Sequence, residues 1–214
     1  AALLTLGSLP VENSQPVFEG LLEKLAAGNL PAEIHLELAE AIDSTHSPQL
    51  AGKLAAVNSK LSPDTTMAGY ASLLFGGDVR KGRNILFSNQ TAQCMRCHSI
   101  DDYGANIAPN LNGVAGRNTR EQLLESLIDP SARIAPGYGF VTVELQGGKS
   151  LTGVLQQETE TALTLKAGAR PDTLILKKHV TNRINAPSSM PSMKDILSKR
   201  EIRDLVSFLA TLKE

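Results

Sequence analysis

Two thiols and an imidazole fall within five consecutive residues, Cys94-Met95-Arg96-Cys97-His98, and these are the chain's two cysteines. The C-x-x-C-H spacing is the attachment signature for a c-type haem. Two residues between the thiols let both add to the vinyl groups of one porphyrin, and the next residue brings an imidazole under the iron. That confines the chemistry to electron transfer or haem-centred redox reactions. Other uses of two cysteines fit less well. A thioredoxin-type pair needs a βαβ setting and a stabilised thiolate, whereas the flanks read as helix and loop. A structural zinc ion takes four Cys or His ligands, and His35, His46 and His179 are not spaced to complete such a set. A plain disulfide leaves His98 unexplained.

With His98 as one axial ligand, the other side of the iron decides the function. A thioether is a soft neutral ligand that favours Fe(II) and suits electron transfer. Ser188-Ser189-Met190-Pro191-Ser192-Met193 offers two sulfurs just ahead of the last helix. Met190 is the first candidate, because Pro191 stiffens the backbone behind it; Met193 is the second. Both methionines could instead be core fillers, and an open or histidine-ligated site is the remaining option. His179 reads as an exposed strand-end residue, and His35 and His46 as solvated. The second ring nitrogen of His98 needs an acceptor to orient it, and the Pro109 carbonyl stands at loop distance. Leu111 is placed to pack on the haem face. Arg117 suits a haem propionate by its planar fork, or else is a surface arginine.

These residues are carried by a chain whose period changes along its length. Residues 1–62 read as a helical head. Ser14-Gln15-Pro16 opens a helix with Val17, Leu21, Leu22 and Leu25 on one face, ended at Gly28. Pro31 and Ser47-Pro48 open two more, carrying Ile34, Leu38 and Ile42, then Leu50, Leu54 and Val57. Acidic residues outnumber basic ones there by seven to three, on what reads as a packed cap. Residues 63–138 contain a helix over 79–87, the pentapeptide, a Gly/Asn/Pro-rich loop over 104–116, and a helix capped at Asn118-Thr119-Arg120-Glu121. Over 139–185 the period falls to two, with Val141, Val143 and Leu145, then Leu151, Gly153 and Leu155, then Leu163 and Leu165, then Leu174 and Leu176. Four or five short strands are expected, enough for a small barrel or a twisted sheet. Residues 186–214 hold the methionine loop and a closing helix capped at Ser198 and Glu201.

A formal net charge of −1, absent tryptophan and 4% aromatics give no footing for nucleic-acid binding. No apolar run approaches the roughly 20 residues of a membrane span. The opening Ala1-Ala2-Leu3-Leu4 is read as a mature terminus or the start of an excised fragment. Covalent haem attachment points to a periplasmic or exported location.

Gly76-Gly77-Asp78, Gly82-Arg83, Leu86-Phe87, Cys94 to His98, Pro109-Asn110-Leu111, the run Leu123 to Ser131, Pro136-Gly137-Tyr138, Ser189-Met190-Pro191 and Asp204-Leu205-Val206 together resemble one family. It is the haem-binding domain abundant in planctomycetes and verrucomicrobia, often fused behind a sugar-dehydrogenase-like propeller and helical repeats. The resemblance covers roughly residues 68–214. It departs where relatives often carry two methionines and this loop has Ser189-Met190. It implies a class I cytochrome c core whose first and last helices cross at a glycine facing an aromatic. Gly82, with Phe87 on the same helix, and Phe208 take those positions.

The head resembles the end of a HEAT-like array, and the 139–185 insertion a Sm-like or SH3-like barrel. With six basic and four acidic residues, that insertion is expected to dock a partner or serve structure, not to bind RNA. The expected molecule is therefore mainly α with a β insertion, holds one covalent haem c, and is not itself an enzyme. It moves single electrons from a fused or partner dehydrogenase to a downstream cytochrome or oxidase. Two rivals stand beside this: a peroxidase-like or gas-binding haem with an open distal site, and a scaffold in which the haem is secondary.

Overall fold

The structure, a computed structural model, describes residues 2–61 and 65–214. The boundary drawn between residues 62 and 63 lies outside the described residues. The head comprises α1 (Ala2–Gly7), α2 (Val11–Ala26), α3 (His35–Ser44) and α4 (Pro48–Leu61). α2 begins five residues before the expected Pro16, which sits inside the helix, with Pro10 at the N-cap. The lost N–H at Pro16 is tolerated because the buried stripe runs through it: Ser14, Phe18, Leu22 and Leu25 face inward, and Val17 is exposed. Phe18 packs with Leu38, Ile42 and Leu50 into the head's own core.

The central domain is built from α5 (Thr65–Ala68), α6 (Val79–Ser88), a small hairpin of β1 (Ser99–Ile100) and β2 (Tyr103–Gly104), α7 (Val114–Arg117), α8 (Arg120–Ile128) and, after the insertion, α9 (Lys199–Leu209). α6 and α9 cross at Gly82, where a Cβ would press on Asp204 O and come within 2.8 Å of Phe208 Cβ. Glycine is required there because the obstacle is backbone. Asp78 caps α6 by accepting from Arg80 and Lys81, and its own N–H donates to Asp204 Oδ1 at 2.8 Å. The same capping residue thereby ties the first helix to the last. The cap of α8 sits one residue later than expected, on Thr119 and Gln122. The Asn118 amide is instead hydrogen-bonded to Val114 O, closing α7.

Leu86, Leu111, Leu124, Met193, Ile202, Leu205 and Val206 form this domain's core, and Leu36 of the head inserts into it. The head's acidic side is part of the packing. Arg203 Nη1 lies 2.9 and 3.0 Å from the two Glu37 oxygens, and Arg200 pairs with Glu37 and Glu40. Arg203 Nε is buried without a hydrogen-bond partner among the described residues.

The insertion is a five-stranded antiparallel sheet of β3 (Phe140–Leu145), β4 (Ser150–Glu158), β5 (Ala162–Lys166), β6 (Thr173–Leu176) and β7 (Val180–Asn185), in the order β6-β5-β4-β3-β7. Of the barrel and the twisted sheet that the pattern allows, the barrel is not closed: among the described residues no ladder joins the end strands β6 and β7. Alternation tells which residues face inward, whereas closure depends on tilt and stagger, which the pattern does not record. Val141, Val143, Leu163, Leu165 and Ile175 make the buried face. In β6 the inward residue is therefore Ile175, not the expected Leu174 and Leu176, which are 67% and 39% exposed.

Candidate functional site

After α6, Asn89 Oδ1 accepts from the Thr91 and Ala92 N–H groups, and Gln93 takes a left-handed φ of 46°. The chain then winds into a 3-10 turn over Cys94–Arg96, with Cys97 and His98 N–H groups both donating to Cys94 O, at 3.1 and 3.0 Å. One turn thus carries both thiols and the imidazole. Cys94 is half-buried, Cys97 is exposed, and neither is in a disulfide. Burial pushes the Cys94 thiol above its ordinary value, the opposite of what a thioredoxin-type pair requires. Among the described residues there is no group of three or more His, Cys, Asp or Glu that could hold a metal ion.

His98 Nδ1 lies 2.8 Å from Pro109 O. A carbonyl only accepts, so Nδ1 carries the proton and Nε2 keeps its lone pair. The loop bearing Pro109 is laced to the turn it faces. Ile107 and Ala108 N–H groups donate to Cys97 O, Ala105 N–H to His98 O, and Leu111 N–H to Ser99 O. Ser99, only 3% exposed, donates its hydroxyl to Asn106 Oδ1 and accepts from Asn110 Nδ2 at 2.9 Å. Gly104, at φ 91°, permits the hairpin's close approach, since a Cβ there would meet His98 O and Met95.

Leu111 is buried in the core beside this loop. Arg117, expected at a propionate, directs its two Nη atoms to Asn112 O and Asn110 O, at 2.8 and 3.1 Å. It holds the Pro109 loop closed from outside. Sequence reasoning missed Ser99, Asn106 and Asn110; the three asparagines at 106, 110 and 112 were the available signal, since Asn side chains bridge backbone in turns.

Met190 is half-buried against the core, whereas Met193 is 3% exposed and lies within it. The two sulfurs of the expected loop are therefore separated by burial: one is at the core's rim, the other is packing. His46 and His179 are exposed. His35 is only partly solvated: its Nε2 lies 3.1 Å from Leu30 O in a half-buried position, where it braces the turn into α3.

The donor set fits a covalent haem. Two free thiols and an imidazole with Nε2 unengaged share one turn, and a thioether lies at the rim of the same core. Tyr103 and Ile107, 69% and 71% exposed, add apolar surface next to the motif. A hollow of about 460 Å³ beside Phe87, Gln93, Met95 and Arg96 takes in neither cysteine nor His98. The site is thus defined by its donor atoms and not by that concavity. No helix among the described residues is long and apolar enough to cross a membrane. No curated protein matches the chain. Residues 80–162 do match the family model of cytochrome c, which supports a haem-binding, electron-carrier role for the segment that holds the C-x-x-C-H turn.

Proposed function

We propose that the chain is a mono-haem c-type cytochrome domain that relays single electrons in the periplasm or another exported location. Cys94 and Cys97 would hold the porphyrin through thioethers, and His98 Nε2 and Met190 Sδ would ligate its iron. A haem ligated by imidazole and thioether supplies one-electron Fe(III)/Fe(II) exchange. The chain's own residues bind and orient it. The Pro109 carbonyl fixes the His98 tautomer, Leu111 supplies apolar packing, and Arg117 secures the loop that bears Pro109. The donor is a fused or partner dehydrogenase and the acceptor a downstream cytochrome or oxidase, as the family resemblance implies. The head is read as the end of a HEAT-like array, supported by its succession of short helices. The insertion is read as a structural or docking sheet of Sm-like kind, supported by its five antiparallel strands.

One observation carries this reading: the His98 ring, on the same turn as two free thiols, has Nδ1 tied to Pro109 O and Nε2 left to ligate. The test is protein from a host competent in cytochrome c maturation. Its mass should exceed the polypeptide by one haem, and the oxidised form should show the weak Fe(III)–thioether charge-transfer band. Met190→Ala should abolish that band and open the iron to carbon monoxide or cyanide at neutral pH. Colourless protein of polypeptide mass overturns the reading; a band that survives Met190→Ala moves the ligand to Met193.

A further inference from the structure

The loop that carries Met190 is anchored at both ends, and the anchors lie outside the residues that supply donor atoms. Upstream, the two ends of the insertion meet. Ala186 N–H donates to Phe140 O at 2.9 Å, and Leu155 pairs with the neck through Gly139 O at 2.8 Å and Gly137 N–H at 2.7 Å. Two residues on, Ser188 N–H donates to Ser131 Oγ, just past α8, and Ser188 Oγ accepts from Met190 N–H; both distances are 3.1 Å. Downstream, Ser192 Oγ donates to Ile128 O at the end of α8, and Met193 is sunk in the core. Both flanks of Met190 are thus fixed to residues 128–131, and Pro187 and Pro191 restrict the backbone between them.

We propose that Ser188 and Ser192, with Ser131 and the neck of the sheet behind them, are positioning residues for the Met190 thioether. The inserted sheet thereby sets how firmly sulfur competes with other ligands for the iron. The proposal rests on Met190 being the axial ligand. A rigid arc lowers the entropy lost when the sulfur binds, so loosening it shifts the equilibrium toward an external ligand without touching His98 or the thiols.

The measurement is imidazole titration of the oxidised holoprotein, followed in the visible spectrum together with the thioether band and the reduction potential. Ser192→Ala and Ser188→Ala are each expected to tighten imidazole binding about 2- to 10-fold, the range of one neutral hydrogen bond. Each should also lower the potential, and the double variant should exceed either alone. Ser192→Thr, which keeps a hydroxyl, should restore parental behaviour. Ser126→Ala, whose hydroxyl bonds within α8 to Gln122 O, is the control and should change nothing. Should Ser192→Ala fold poorly, Ser188→Ala and Ser192→Thr still decide the matter. Imidazole affinities and potentials equal to the parent's overturn the proposal. A parent lacking the thioether band is a different failure: it overturns Met190 ligation itself, before any serine is changed.

Discussion

On the His98 side, the hydrogen bonds of the ring and of residues 105–111 fall within residues 94–117, and further along the loop the Gly113 and Ala115 N–H groups donate to Glu214 O and Leu212 O. On the Met190 side the anchors are drawn from residues 128–131, from the sheet neck at 140, and from a core that includes the head's Leu36. The first is a short closed loop, with little chain entropy to overcome. The second brings together segments separated by the whole insertion, and holds only when the packing around it is complete. The lesson is that the setting of His98 is largely a local property of its turn, whereas that of Met190 depends on the state of the entire domain.

Glu37→Ala should separate the two sides most sharply. It strips Arg203, whose side chain is 8% exposed, of its carboxylate; breaking a buried pair this way costs about 3 kcal/mol. Because Arg203 lies on α9, amide exchange should quicken over residues 193–209 and stay unchanged over 97–111. The same pair has a pH signature. Burial pushes the Glu37 carboxyl up, but the hydrogen bond from Arg203 and the charges of Arg203 and Arg200 outweigh it, leaving it below its ordinary 4.5. A carboxyl depressed in the folded state contributes its full stability above the unfolded value, and that contribution is lost as pH falls through the folded value. Acid unfolding should therefore lose this contribution only below pH 4.5, and Glu37→Gln should flatten that limb.

Gly82→Ala should erase the distinction. α6 leads into the attachment turn and α9 follows the methionine loop, so forcing their crossing apart loosens both ligand sides at once. Overpacking against backbone should cost about 2 kcal/mol, read as a lower thermal midpoint with faster exchange in both regions. Ser99→Ala is the mildest and acts on the His98 side alone. It removes the hydroxyl linking Asn106 and Asn110, should cost about 1 kcal/mol in denaturant unfolding, and should shift the His98 ring N–H resonance while the thioether band stays put.

The same division governs what could be read from the residues. The C-x-x-C-H turn and the Ser198 cap rest on contacts a few residues apart, and the Pro109 acceptor lies eleven residues from His98; short motifs encode contacts of that reach. The cap of α8 slipped by one residue because Asn118 had a competing local acceptor in Val114 O. The start of α2 was misplaced at Pro16 because a proline inside a helix is tolerated only where the helix has a buried face to fill, here Ser14 and Phe18. In β6, period-two alternation was visible but its phase was not. Leu174 and Ile175 are equally apolar, and only the pairing of Ile175 with Leu163 turns one of them inward.

By itself the amino-acid order determined the C-x-x-C-H spacing, the order of most helices and strands and the Ser198 cap, because each follows from bonds or periodicities spanning a few residues. The tertiary structure alone decided that the sheet stays open and that Met193 is packing while Met190 stays at the rim. It also decided that Glu37 and Glu40 meet Arg200 and Arg203. Burial and ion pairing belong to two surfaces brought together, and neither surface carries the other's address in its own sequence.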